Sequence, residues 1–221
     1  VIRSLGELGN PEATEAMITI ATEESQPFIR KVAIQALGNA GDPKAIPALI
    51  QGLYTELPGV SFYYEARYSL IQIGKAAVPK LVQTLKRKNQ QVEAMRLPSG
   101  DSIAPGAVEG KAAFVLGALQ ATETTSLLIT AMNKYYNLFQ NRARKPIFAS
   151  VPGAIAEIAY SLGTMGNTEA VTALVALAKD TDPNIRIAAS EALTNLGDPS
   201  AVVSLLKYAK TGEAAGQASL I

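Results

Sequence analysis

Residues able to do chemistry are few in this chain, and their types narrow the possibilities at once. Among 221 residues there is no cysteine and no histidine. Thiol nucleophiles, disulfides, Cys/His zinc sites and an imidazole base are therefore excluded. Carboxylates remain, and Glu23-Glu24 and Asp180/Asp182 have the closeness of an acid–base pair. Both pairs stand where a helical pattern ends beside a turn, which is the position of ordinary solvated turn carboxylates. Gly38-Asn39-Ala40-Gly41 and Gly163-Thr164-Met165-Gly166 imitate pieces of a phosphate loop. They follow helical patterns, where a phosphate loop follows a strand, and they lack its Lys-Ser/Thr, so they read as helix terminators.

Binding chemistry has more to work with. Residues 75–153 hold 11 Lys/Arg against 4 Asp/Glu, a net +7, between flanks of −3 each, while the whole chain is only +1. No global field attracts nucleic acid or anionic membrane, so partners must be local. Lys86-Arg87-Lys88, Arg96, Arg142, Arg144 and Lys145 form the basic centre, with no acidic residue between Glu123 and Glu157. Nine of the 13 aromatics fall in two windows, Tyr54 to Tyr68 and Tyr135 to Phe148. Tyr135 and Phe139 continue a helical stripe with Leu128 and Met132, and Phe62 takes an apolar repeat position. Tyr54, Tyr63, Tyr64 and Tyr136 are expected to be exposed contacts of the kind enriched in interfaces.

The elements that position these residues repeat. Ile185, Ala188, Ala189, Ala192, Leu193 and Leu196 fall at helical spacing and make one apolar stripe. Gly197-Asp198-Pro199 then ends that helix and starts the next, through a left-handed glycine, a capping carboxylate and a proline suited to a first helical turn. The same corner occurs at Gly9-Asn10-Pro11 and Gly41-Asp42-Pro43, and in weaker form at Gly74-Lys75, Gln120-Ala121 and Gly166-Asn167. From residue 9 to 197 the successive intervals are 32, 33, 46, 46 and 31. A period just above thirty with two helices in it predicts a solenoid, each pair burying its apolar face against its neighbours.

At this point a resemblance becomes specific. Ile29-Arg30, Ala33, Ala36-Leu37-Gly38 and Gly41-Asp42-Pro43, like Ile185-Arg186, Ala189, Ala192-Leu193 and Gly197-Asp198-Pro199, resemble the short HEAT-like repeat of the phycobilisome-lyase type. The resemblance spans essentially the whole chain and implies an all-α, right-handed α-solenoid of about six stacked helix pairs. It further implies a non-enzymatic protein-binding scaffold with no cofactor and no metal. Family alternatives are an accessory subunit of a bilin lyase-like enzyme and, through the basic centre, a nucleic-acid binder. The modest net charge argues against nucleic acid, and the basic centre argues for a protein partner with an acidic surface. In such repeats Arg30 and Arg186 resemble the recurring arginine, expected to pair with an acidic residue near the preceding turn, Glu23 or Asp182.

Taken in order, residues 1–9 read as the end of a second helix, and five pairs follow before a sixth begins at Ala201. The 46-residue intervals each add about fourteen residues to the period. They predict insertions near 89–106 and 137–153, both between first and second helices and so on one edge of the solenoid, where insertions commonly decorate a binding face. If the edge does not bind, the inner face of second helices near Arg30, Tyr63 and Arg186 is the next candidate. The chain begins in mid-pattern and has apolar residues at both extremities, which reads as a piece of a longer protein, 1–221 forming a single repeat domain. No apolar run of eighteen residues and no signal peptide is present, so no membrane insertion is expected. Cysteine-free composition leaves the compartment open, with a lean towards an exported, periplasmic bacterial protein.

Overall fold

A computed structural model of the chain describes residues 1–8, 10–142, 150–203 and 206. The helices are α1 (Ile2–Leu8), α2 (Pro11–Glu23), α3 (Pro27–Ala40), α4 (Ile46–Gly52), α5 (Tyr63–Ile73), α6 (Val78–Leu85), α7 (Gln90–Ala94), α8 (Ala107–Ala118), α9 (Thr125–Arg142), α10 (Val151–Met165), α11 (Val171–Leu177) and α12 (Pro183–Leu196). Residues 199–203 are again helical. Pairs α2/α3, α4/α5, α6/α8, α9/α10 and α11/α12 form an all-α solenoid, with α1 preceding them as a lone second helix. Its apolar core is one continuous ribbon that runs through Met17, Leu37, Leu49, Leu70, Leu81, Leu116, Leu128, Leu162, Leu174 and Leu193.

The corners work as their residues require. Gly41, Gly166 and Gly197 take φ of +67°, +68° and +64°, the left-handed geometry that closes a helix without a Cβ penalty. Gln120 holds the same region at φ +52° without being glycine. Its side chain helps there, because its Nε2 donates to the Thr164 carbonyl at 2.8 Å. Asn10, Asp42, Asn167, Asp182 and Asp198 then accept from backbone amides two residues ahead, satisfying donors that a helix start leaves free.

Second helices stack into one layer along α1, α3, α5, α8, α10 and α12, and glycine sets their spacing. Three residues before the corner stand Gly6, Gly38, Gly117 and Gly163. A β-carbon there would lie within 3 Å of Ala36, Ser69, Ser161 and Ala192 respectively, the small residues five before the next corner. Glycine against a small residue thus lets successive helix backbones approach closely. The series lapses once. Ile71 stands where glycine would face α8 and Val115 where the small residue would be, and α5 and α8 accordingly meet at few points. That joint is bridged instead by polar contacts: Tyr54 Oη donates to the Val108 carbonyl at 2.9 Å and Lys111 Nζ to the Leu53 carbonyl at 3.0 Å.

Between α4 and α5 the chain turns through a two-stranded ribbon, β1 (Glu56–Leu57) against β2 (Val60–Ser61), antiparallel with Glu56 opposite Ser61. The two long intervals differ from simple loops. Residues 89–106 contain α7, whose Val92 is buried, and a bridge between Arg96 and Ser102. Over 137–142 helix α9 simply continues, so the start of the second insertion is helix where a loop was expected. Ser150 Oγ, at the far end of that stretch, donates to the Pro105 carbonyl at 3.2 Å.

Candidate functional site

Counting back from each corner shows which side chains share a face of the second-helix layer. Six residues before it stand Gln35, Tyr68, Phe114, Tyr160 and Glu191, and ten before it Lys31, Tyr64, Gly110, Ala156 and Ile187. Offsets of four along a helix place these two sets side by side. The face is apolar at its centre: Tyr64, Tyr68 and Tyr160 are 67, 59 and 42 % exposed. Phe114 and Tyr160 stack in parallel across α8 and α10, with centroids 5.5 Å apart and planes at 7°.

Arg67 fills the loose joint between α5 and α8. Its guanidinium carbon lies 4.6 Å from the Phe114 ring centre, 5.2 Å from that of Tyr64 and 5.4 Å from that of Tyr63. Among the described residues Arg67 forms no ion pair. Tyr63 and Tyr64 meet edge to face at 5.4 Å, so the rings and the cation make one run from Tyr63 to Tyr160. Such cation–ring contacts contribute on the order of 0.5–2 kcal/mol each, more as water is removed.

Beside this run lie Lys111 and Glu157. Lys111 Nζ is 5.1 Å from the Tyr63 ring centre, and burial lowers its pKa. Glu157 reaches the space that Gly110 leaves open, since a β-carbon there would collide with Glu157 Oε2. Burial raises the Glu157 carboxyl above the ordinary value of 4.5, while the charges of Lys111 and Arg67 act against that rise. Burial also raises the Tyr63 phenol, and the Glu157 charge adds to it. The site therefore offers exposed rings, a guanidinium with no carboxylate bound to it and a carboxyl group that binds its proton more tightly than usual.

A second polar cluster is buried beside α7. Glu109 is 1 % exposed and accepts from Tyr135 Oη, with Arg87 Nη1 at 3.5 Å and Lys134 Nζ at 3.7 Å. Arg87 also holds Glu93 at 2.7 Å. Burial works against the Arg87 charge, but the Glu93 hydrogen bond and the Glu109 charge outweigh it and its pKa is raised. This is a structural tie that locks the first insertion onto α8 and α9.

The residues expected from sequence are distributed unevenly over these features. Tyr63 and Tyr64 belong to the aromatic run. Tyr54 was expected to be exposed but is 2 % exposed, because its hydroxyl reaches α8 and Lys111 lies over its ring. Tyr136 is half-buried on the other layer and donates to Asp180 Oδ2 at 2.5 Å, which ties α9 to the turn after α11. Arg96 is exposed on the first insertion, with its guanidinium on the Met95 and Glu93 carbonyls. Arg142 ends α9; Arg144 and Lys145 lie outside the described residues. The paired arginines do not meet Glu23 or Asp182 carboxylates. Arg30 Nε donates to the Ala21 carbonyl at 3.0 Å, and Arg186 Nη1 to the Asp180 and Thr181 carbonyls at 2.9 and 3.3 Å. Each satisfies acceptors where the preceding helix ends, which a cation does well at that end of the helix dipole. Arg67, Lys111, Phe114, Glu157 and Tyr160 were not singled out from sequence. Registering each second helix on its corner would have aligned Tyr68, Phe114 and Tyr160.

The period, the corners and the stacking agree with comparison to known proteins. A family model described as HEAT repeats matches residues 1–60 and 152–219. The chain belongs to the HEAT-repeat family. The stretch of this HEAT solenoid outside that match holds α5, α8 and both insertions. No curated protein matches the chain. Among solved structures, human deoxyhypusine hydroxylase in complex with glycerol is similar with a TM-score of 0.42 and 17 % identity, covering 89 % of this chain and 77 % of that one.

Proposed function

We propose that this HEAT solenoid is a non-enzymatic scaffold that binds another protein on the second-helix face over α5, α8 and α10. The observation that carries the reading is the run of exposed rings around Arg67. Tyrosine and arginine are among the residues that most often dominate interface energetics, and here they pack against neighbouring rings. An acidic partner suits the face, because Arg67 has no ion-pair partner among the described residues and can accept a carboxylate in its planar fork. Among the described residues no helix is long and apolar enough to cross a membrane.

The test is differential capture from an extract of the source organism, followed by mass spectrometry. Wild type, Tyr64→Ala/Tyr160→Ala and Lys80→Ala/Glu123→Ala, the last pair on α6 and just before α9, serve as baits. The reading expects one set of proteins held by wild type and by the Lys80/Glu123 variant but lost from the tyrosine variant. Equal recovery by all three baits would refute it.

A further inference from the structure

A second binding site lies on a different part of the solenoid, at the edge where the turns within the pairs emerge. A pocket of about 260 Å³ opens there between the first two complete pairs, with Arg30, Gln51, Gly52, Phe62 and Met95 among its walls. Local sequence builds each wall. Gly52 lets α4 sit tightly on α5, since a β-carbon there would come within 2.9 Å of Ala66 Cβ. Phe62, fully buried just before α5, forms the floor. Met95, just after α7, brings the first insertion back over the opening.

Arg30 is the distinctive wall. Its guanidinium carbon lies 4.8 Å from the Phe62 ring centre, and only Nε is committed, to the Ala21 carbonyl. Its repeat counterpart Arg186 has Nη1 committed to two carbonyls. Among the described residues Arg30 has no carboxylate within ion-pair distance and its Nη atoms make no hydrogen bond to protein. Partial burial lowers its pKa, and among the described residues no anion offsets that cost. The nearby hydroxyls do not compete as donors. Thr22 Oγ1 donates to the Ile18 carbonyl and Thr55 Oγ1 to that of Gln51. The donors that remain for a guest are the two Nη groups of Arg30 and the Gln51 amide, above an aromatic floor and beneath a thioether lid.

We propose that this pocket binds a carboxylate carried on a short apolar stem, with the carboxylate on Arg30 and the stem between Phe62 and Met95. A guanidinium fork matches a carboxylate in two parallel hydrogen bonds. The volume suits a guest smaller than a drug-sized ligand, which fills about 300–1,000 Å³. The same chemistry is offered by a free small carboxylic acid and by a glutamate side chain of a polypeptide.

The experiment separates those sources. The full chain, labelled with ¹⁵N, is titrated with 3-phenylpropionate and, separately, with the capped peptide Leu-Glu-Leu, each beside its uncharged amide counterpart. The Arg Nε–Hε signals are followed. The Arg30 signal should move saturably with at least one carboxylate and not with its amide, while the Arg186 signal stays in place. Saturation by phenylpropionate alone points to a free acid; saturation by the peptide at a tenfold lower concentration points to a polypeptide. Arg30→Lys should weaken binding about tenfold, because an ammonium lacks the planar fork. Met95→Ala should weaken it several-fold while leaving Arg30 intact, which keeps the test valid if the Arg30 variant misfolds. Linear, non-saturating shifts, equal shifts with the amides, or equal movement of Arg186 would overturn the proposal.

Discussion

At the scale of single residues, environment decides more than type. Tyr54 and Tyr64 are ten positions apart, yet one is buried and the other stands in water, because the turn after α4 directs Tyr54 onto the start of α8 while Tyr64 lies on the exposed face of α5. Tyr54→Phe removes the hydroxyl bonded to Val108 and should cost about 1 kcal/mol. In a chain of this size that is a fall of roughly 2–4 °C in melting midpoint, read by calorimetry. Glu157 makes a pH-dependent prediction. Its folded pKa lies above 4.5, so the native state holds the proton more tightly than the unfolded chain does. Stability from this group is then full below the unfolded value and declines as pH rises from 4.5 through the raised folded value. The Lys111 and Arg67 charges beside the carboxyl oppose that rise without cancelling it. Glu157→Gln should therefore melt at or above wild type at pH 7, with the difference shrinking towards pH 4. A variant less stable than wild type at pH 7 would contradict this. Sequence alone expected Tyr54 to be exposed like Tyr64, and only Tyr64 is, since the line around a helix end gives no sign of which neighbour will cover it. It also paired Arg30 and Arg186 with carboxylates nearby in sequence, whereas the geometry gives them carbonyl oxygens, which every residue supplies and no sequence pattern marks.

At the scale of elements, the spacing of second helices depends on glycine against small residues. Gly163→Ala would place a β-carbon 2.6 Å from Ala192 Cα, and α12 must move away. A cost of about 1–3 kcal/mol is expected from such overpacking. Gly153→Ala, in the first turn of the same helix with nothing within 4 Å, should be neutral or stabilising by up to about 1 kcal/mol. Denaturant midpoints of the two variants give the comparison, and equal effects would show that the close approach is not what Gly163 provides. The corners were legible because glycine, a capping side chain and proline are local signals. The first insertion was legible as extra length but not as structure: α7 is five residues long and is held by Arg87 between Glu93 and Glu109, contacts that join residues from three elements. Arg87→Met takes one cation from the buried Glu109, which keeps Tyr135 and Lys134, and should destabilise by roughly 3 kcal/mol. Glu109→Gln in the same chain should recover part of that loss, measured as a double-mutant cycle.

At the scale of the whole molecule, a solenoid distributes its core along its length and leaves function to the faces. The solenoid architecture could be read from the period, because the interval between corners counts the helix pairs without reference to any contact, and its HEAT-like type from the resemblance of the repeated arginine, alanine, leucine and Gly-Asp-Pro residues. The candidate face could not, because the run from Tyr63 to Tyr160 joins three helices about 46 residues apart in register and crosses from α5 to α8 where the glycine spacing lapses. Loosening at that joint makes room for Arg67, so the irregularity in packing and the candidate site are one feature. The most direct test is side-chain labelling of tyrosine in the free chain and in complex with the protein recovered by differential capture. Tyr64, Tyr68 and Tyr160 should label readily in the free chain and Tyr54 and Tyr135 hardly at all. On binding, Tyr64 and Tyr160 should lose most of their labelling. If both remain as reactive in the complex as in the free chain, the partner does not lie on this face and the central claim is wrong.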